Sequence, residues 1–153
     1  MDKKVLIIAG SRSDSEAVDR SEEYLIKLGI GFETEYSSAH RDPDRTADLA
    51  REAEANGFKV VICLAGMSAA LPGVVAAHTS LPVIGVPLDG SALNGMDALM
   101  SVVQMPPGIP VAAVAVGKPG AINAAVLAAR ILALNDDEIR KNLNDYRESL
   151  KQK

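Results

Sequence analysis

Short β-rich runs alternating with longer helical patterns along all 153 residues predict an α/β fold, a parallel sheet covered by helices on both faces. Two further observations support it. The runs Val5-Leu6-Ile7-Ile8 and Val60-Val61-Ile62-Cys63-Leu64 are apolar at consecutive positions, the pattern of strands buried on both faces. The helical patterns after the first two strands stop at Gly29 and Gly57, residues suited to a C-terminal cap.

In chain order, Val5 to Ile8 reads as a strand and Ser15 to Leu28 as a helix. Phe32 to Ser37 is a strand of mixed polarity, followed by a helix over Asp44 to Asn56. Strands at Lys59 to Leu64, Val83 to Val86 and Val111 to Val116 alternate with helices at Leu71 to Thr79, Met96 to Val103 and Ala121 to Ala133. The last segment, Asp136 to Lys151, is charged and amphipathic, with Ile139, Leu143, Tyr146 and Leu150 on one helical face. That stripe requires a cover, either a neighbouring subunit or the chain's own core. No internal repeat, low-complexity tract or linker interrupts the pattern.

Composition narrows the function classes. Hydrophobic residues make up 48% and charged residues 24%, the balance of a soluble globular protein. Aromatics amount to 3%, so Val, Ile, Leu and Ala must build the core. A net charge of −4 argues against a general nucleic-acid or membrane surface and leaves room for a local basic pocket. The single cysteine, Cys63, sits inside an apolar run and reads as a buried thiol. The lack of a second cysteine fits a reducing compartment. The N-terminal apolar run is too short for a spanning helix and lacks a signal-peptide pattern, so a cytoplasmic location is expected.

In open α/β sheets ligands bind beyond the carboxyl ends of the strands, which directs attention to the segments after each strand. They are Gly10 to Asp14, Ser38 to Pro43, Ala65 to Gly73, Pro87 to Gly95 and Gly117 to Gly120. Gly10-Ser11-Arg12-Ser13-Asp14 opens a helix whose first N–H groups can take an anion, with Ser11 and Ser13 as added donors. Asp14 can accept from a sugar hydroxyl or simply cap the helix. The glycine spacing of a dinucleotide fingerprint and the Gly-Lys-Ser/Thr ending of a P-loop are both missing.

Ser38-Ala39-His40-Arg41-Asp42-Pro43 groups an imidazole that exchanges a proton near neutral pH with a guanidinium able to grip phosphate through paired hydrogen bonds. A surface loop with a chance histidine is the plain alternative. Gly66-Met67-Ser68-Ala69-Ala70-Leu71 is built largely of small residues that let backbone N–H groups approach a planar ligand, or let a helix pack tightly on a strand. Gln104 to Pro110 either ends a helix or walls a pocket. His78, the other histidine, fits a structural role near a helix end. Two histidines and one isolated cysteine form no metal-ligand set, and no Gly-x-Ser-x-Gly elbow is present.

Together these segments resemble the PurE family of N5-carboxyaminoimidazole ribonucleotide mutases and aminoimidazole ribonucleotide carboxylases. The resemblance runs through Gly10 to Asp14, Ser38 to Arg41, Leu71-Pro72-Gly73, Leu81 to Pro87, Ser101 to Pro106 and Asn123-Ala124-Ala125. It implies a three-layer αβα sandwich with a flavodoxin-like parallel sheet and an extra C-terminal helix. One domain would span 1–153, with residues 136–151 packing on a neighbouring subunit. It further implies a homo-octamer with shared active sites and a purine-biosynthetic isomerase that uses no cofactor and no metal. Ser11, Ser13 and Asp14 would hold the ribose 5-phosphate end of the ribonucleotide, and Arg41 would pair with the phosphate. Ser38, Gly66, Ser68 and Leu71 would complete the substrate site, and His40 would be catalytic. The implied reaction is decarboxylation of the N5-carbamate, retention of CO2, attack by C4 and removal of the C4 proton by His40.

The chain departs from the mutase pattern in this site region. Gly-Gly-Ala-Ala-His becomes Gly66-Met67-Ser68-Ala69-Ala70, so Ala70 stands where mutases carry a second histidine. Ser68 and Ala70 also match the branch that uses free CO2, whereas Arg41, Gln104 and Gly85 to Pro87 side with the mutases. Elsewhere, Ser15 replaces a common aromatic and Asp42 a usual threonine. Three readings follow: a mutase, a carboxylase (carboxy-lyase) using free CO2, and a non-catalytic flavodoxin-like nucleotide-binding module. A PurE-like carboxylase of the nickel-pincer type ranks below both purine activities, since those proteins carry an additional N-terminal region for which this chain has no room.

Overall fold

The computed structural model describes residues 1–153. Its strands, β1 (Lys3–Ala9), β2 (Gly31–Tyr36), β3 (Val60–Ala65), β4 (Val83–Pro87) and β5 (Ala112–Ala113), form one sheet in the order β2-β1-β3-β4-β5. Every pairing is parallel, with Val5 beside Val60, Ile7 beside Ile62 and Ile62 beside Ile84. This is the flavodoxin-like order, and its switch lies between β1 and β3, where the chain leaves β1 first toward one edge and then the other.

The alternation of side chains along each strand divides the core in two. Val5, Ile7, Val60, Ile62, Leu64, Ile84 and Val86 face a cluster closed by α1 (Ser15–Lys27) and α5 (Lys118–Leu132). Leu6, Ile8, Val61, Cys63 and Val83 face a second cluster under α2 (Pro43–Glu52), α3 (Leu71–His78) and α4 (Met96–Val103). Burying each Val, Leu or Ile stabilises the fold by about 1.5–3 kcal/mol relative to exposure. Burial also pushes the Cys63 thiol far above its ordinary pKa, so it stays a neutral packing group.

Helix α6 (Asp137–Leu150) lies on α5, capped by Asp136, whose carboxylate accepts from the Ile139 N–H at 3.0 Å. Ile139 and Leu143 are buried in the first cluster, and Tyr146 meets Tyr24 of α1 edge to face at 5.9 Å. The chain's own core therefore covers most of the amphipathic stripe, and Leu150 stays exposed.

Boundaries moved where local chemistry overrode the hydrophobic pattern. The strand expected over Val111 to Val116 pairs only at Ala112–Ala113, because the chain then bends so that Val116 packs over Gly95. A Cβ on Gly95 would fall 2.5 Å from Val116 Cγ1. Helix α5 begins at Lys118, earlier than the expected Ala121, because Pro119 in the first turn presets a helical φ. Helix α2 ends at Glu52, and turns occupy the stretch up to Gly57, which takes a φ of 91°. No helix is long and apolar enough to cross a membrane.

Candidate active site

A cleft of about 530 Å³ opens over the carboxyl ends of β1 and β3, at the switch in strand order. The loops after β1, β2 and β3 line it, with Leu88 and Gly90 after β4. The Gly10 N–H donates to the Leu64 carbonyl at 3.1 Å and the Ser37 N–H to the Ala9 carbonyl at 2.9 Å. These bonds carry the sheet ladder to the edge of the cleft, so the loops start from fixed positions.

The β1 loop is a capped turn. Ser11 takes extended backbone angles and its Oγ accepts from the Ser13 N–H at 3.3 Å and the Ser13 hydroxyl at 2.9 Å. The Asp14 carboxylate reaches back to accept from the Ser11 N–H at 3.2 Å, closing a capping box. Half-burial raises the Asp14 carboxyl above the usual carboxylate range, against the pull of the Ser11 N–H. The turn thus offers the Ser11 hydroxyl hydrogen and a helix N-terminus to an anion. Arg12 lies 4.8 Å over the Tyr36 ring and does not line the cleft.

The β2 loop is tied down from beneath. Thr46, fully buried in α2, donates to the Asp42 carbonyl at 3.0 Å, which leaves Ser37 Oγ to donate to Thr46 at 2.7 Å. Ser38 Oγ accepts from the Arg41 N–H at 3.1 Å, and Asp42 caps α2 by accepting from the Arg45 N–H at 3.2 Å. Arg45 fastens the other side, donating to the Tyr36 carbonyl at 2.9 Å and pairing with Glu35 at 2.6 Å. This scaffold presents His40 and Arg41 at the solvent side of the cleft. Arg41 is absent from the eight ion pairs of the chain, so its guanidinium is available to an incoming anion.

The β3 loop supplies the third wall. Gly66, Ser68, Ala69 and Ala70 are small, and Leu71 is anchored in the second core cluster. Met67 takes a φ of 54°, a left-handed conformation that costs a side-chain-bearing residue about 1 kcal/mol.

All the site residues expected from sequence, Ser11, Ser13, Asp14, Ser38, His40, Arg41, Gly66, Ser68 and Leu71, line this one cleft. Sequence reasoning missed Met67 as a strained residue, and it flagged the segment after β4 without singling out Leu88 or Gly90. The segment Gly117 to Gly120 stays outside: the Gly117 N–H donates to the Pro87 carbonyl at 2.8 Å and the chain enters α5. The connection after α4 walls a different space. Met105 packs over Gly73, and Gly108 to Pro110 border a groove of about 900 Å³ at the opposite ends of β4 and β5.

That larger groove is the weaker candidate. Its one imidazole, His78, is engaged through Nδ1 with the Val74 carbonyl at 2.8 Å, and its ionic groups are only Arg51 and Glu54. The smaller cleft unites hydroxyls, a helix start, a free guanidinium and an imidazole. No group of three or more His, Cys, Asp or Glu side chains converges as a metal site anywhere in the chain.

Known proteins match this chain over nearly its full length. An N5-carboxyaminoimidazole ribonucleotide mutase of Brucella melitensis is 50% identical over 97% of this chain and 92% of its own. The mutase of that name from Bacillus subtilis is 48% identical over 99% and 94%. Among solved structures, PurE of Treponema denticola superposes with a TM-score of 0.88 at 34% identity, covering 98% of this chain and 92% of that one. The family model described as AIR carboxylase matches residues 4–153, and the chain belongs to that family.

Proposed function

We propose that this protein is an N5-carboxyaminoimidazole ribonucleotide mutase of purine biosynthesis, an isomerase that moves a carboxyl group from the exocyclic nitrogen N5 to the ring carbon C4. The observation that carries this reading is the end-to-end similarity, at about half identity, to proteins of that name. The cleft supplies chemistry that fits it. The ribose 5-phosphate docks on the Ser11–Asp14 turn, where the Ser11 hydroxyl hydrogen and the field of the helix N-terminus meet its charge, and Arg41 pairs with it from the β2 loop. The small residues from Gly66 to Ala70 back the flat imidazole ring, with Ser38 and Leu71 bordering it.

The carbamate C–N bond breaks, its electron pair remains on N5, and N5 takes a proton as CO2 departs. The electron-rich C4 then attacks CO2, forming the new C–C bond, and loses its proton to restore aromaticity. One proton is given and one is removed, so a single imidazole ends as it began. His40 is the one histidine lining the cleft, and Ala70 leaves no second imidazole to share the task. The reading includes one domain over 1–153, a cytoplasmic setting and a homo-octamer. For assembly the surface proposed is α4, whose outer residues Met96, Met100 and Val103 are exposed, since α6 commits its stripe to its own chain.

The runner-up, carboxylation by free CO2, rests on Ser68 and Ala70. The test supplies purified enzyme, without ATP, with either N5-carboxyaminoimidazole ribonucleotide or aminoimidazole ribonucleotide plus bicarbonate. Faster carboxylated product from the first at low bicarbonate is expected; product from the second alone overturns the mutase reading. His40→Asn is expected to fold normally and lose turnover by at least ~100-fold. Arg41→Ala is expected chiefly to raise KM, by about tenfold. Unchanged turnover in the first variant removes His40 from the chemistry.

A further inference from the structure

Met67 combines features that no other residue of the cleft shares. It is one of two non-glycine residues with a positive φ, it stays 67% exposed, and it lines the cleft. Its neighbours in the loop wall, Gly66, Ser68, Ala69 and Ala70, have side chains too short to reach across bound substrate. Glycine would hold the same backbone without strain, so a long apolar side chain at this position works against the local backbone preference. Methionine is also the apolar side chain that adapts most readily to an irregular surface, through three rotatable bonds and a polarizable thioether.

The reaction proposed above makes a demand that this placement meets. Between breaking the C–N bond and forming the C–C bond, the carboxyl group exists as neutral CO2. Neither Arg41 nor the hydroxyls of the β1 turn can hold it by charge. Retention needs groups that exclude water and block the way out for the lifetime of the intermediate. Where the mutase pattern sets glycine at position 67 and a histidine at position 70, this chain has Ala70, and the one long side chain between Gly66 and Ala70 is Met67. We propose that Met67 is such a group: poised by its left-handed backbone at the cleft wall, its thioether closes over the bound imidazole ring and retains the released CO2 until C4 captures it. Met67 acts by direct contact and exchanges no proton. If CO2 escapes, the ribonucleotide left behind is aminoimidazole ribonucleotide with N5 protonated, so leakage has a measurable product.

The inference rests on the mutase reading, and its test separates the two. Wild type, Met67→Gly and Met67→Leu are each given N5-carboxyaminoimidazole ribonucleotide at low bicarbonate without ATP. The ratio of aminoimidazole ribonucleotide to carboxylated product is measured, corrected for breakdown without enzyme, alongside native mass. Met67→Gly should raise that ratio by about tenfold, the scale of losing an apolar pocket contact, whereas Met67→Leu should stay close to wild type. Excess dissolved CO2 should restore carboxylated product in the glycine variant, because His40 and the phosphate turn are intact. A wild-type ratio in Met67→Gly overturns the inference, as does leakage accompanied by a smaller native mass, which would make Met67 an assembly contact. Wild-type enzyme that forms no carboxylated product from this substrate overturns the mutase reading instead.

Discussion

Asp14 is held where its charge is disfavoured, half-buried at the wall of the cleft. Partial burial beside the cleft raises its carboxyl above the usual range while the Ser11 N–H pulls the other way. The folded chain therefore binds more protons than the unfolded chain across the carboxylate range, and this group's contribution to stability declines as pH rises through that window. Asp14→Asn keeps an oxygen for the Ser11 N–H and removes the charge. It is expected to melt at or above the wild-type temperature at pH 7, with a flatter stability curve in acid, and to weaken substrate binding by about tenfold. Calorimetry across pH and a KM measurement check both halves. A lower melting temperature at pH 7 would mean that the carboxylate stabilises the turn after all. At this scale the lining of the candidate site was largely legible in the sequence, since Ser11, Asp14, His40 and Arg41 stand out by residue type and all line the one cleft. Met67 did not, because methionine carries no signature of a positive φ, and its conformation is imposed by the loop between β3 and α3. The hydroxyl pair of Ser37 and Thr46 was equally hidden, as its partners lie nine positions apart and meet only once α2 packs.

Elements were legible in proportion to their burial. The β1 and β3 runs, with no solvent-facing side, appear as unbroken apolar stretches and were located to within two residues at either end. Edge strand β5 was overextended because a row of alanines and valines gives no sign of where pairing with β4 ceases. Helix α6 posed a different problem: its stripe announces a buried face without naming the partner. The answer lies in long-range contacts, with Ile139 and Leu143 in the first cluster and the Asn142 amide donating to the Leu28 carbonyl at 3.1 Å. Leu143→Ala removes buried methyl groups inside one chain and should cost about 2–3 kcal/mol of unfolding free energy. Denaturant titration at several protein concentrations checks the assignment. A loss that shrinks as the protein is concentrated would place the apolar face against another subunit.

For the molecule as a whole, the unbalanced feature is the outside of α4. Met96, Met100 and Val103 of α4 recur at helical spacing, four and three residues apart, and all are exposed large apolar side chains; Leu93, in the turn before the helix, is exposed as well. The opposite side of the same helix is satisfied, with Ala98 and Val102 in the second core cluster. A helix apolar on two sides has one side left for a partner, and under the assembly proposed above that partner is a second copy of the chain. Met100→Lys places a charge in the middle of that row without touching the core or the cleft. Burying an unpaired ammonium between subunits costs several kcal/mol, enough to shift assembly strongly toward smaller species. Sedimentation should show a reduced native mass while circular dichroism retains the wild-type helical signal. If neighbouring subunits complete the active site, turnover should fall with the mass and recover as protein concentration drives reassembly. A Met100→Lys protein with the wild-type mass would remove α4 from the interface, and a small species with full turnover would show that each chain holds a complete site of its own.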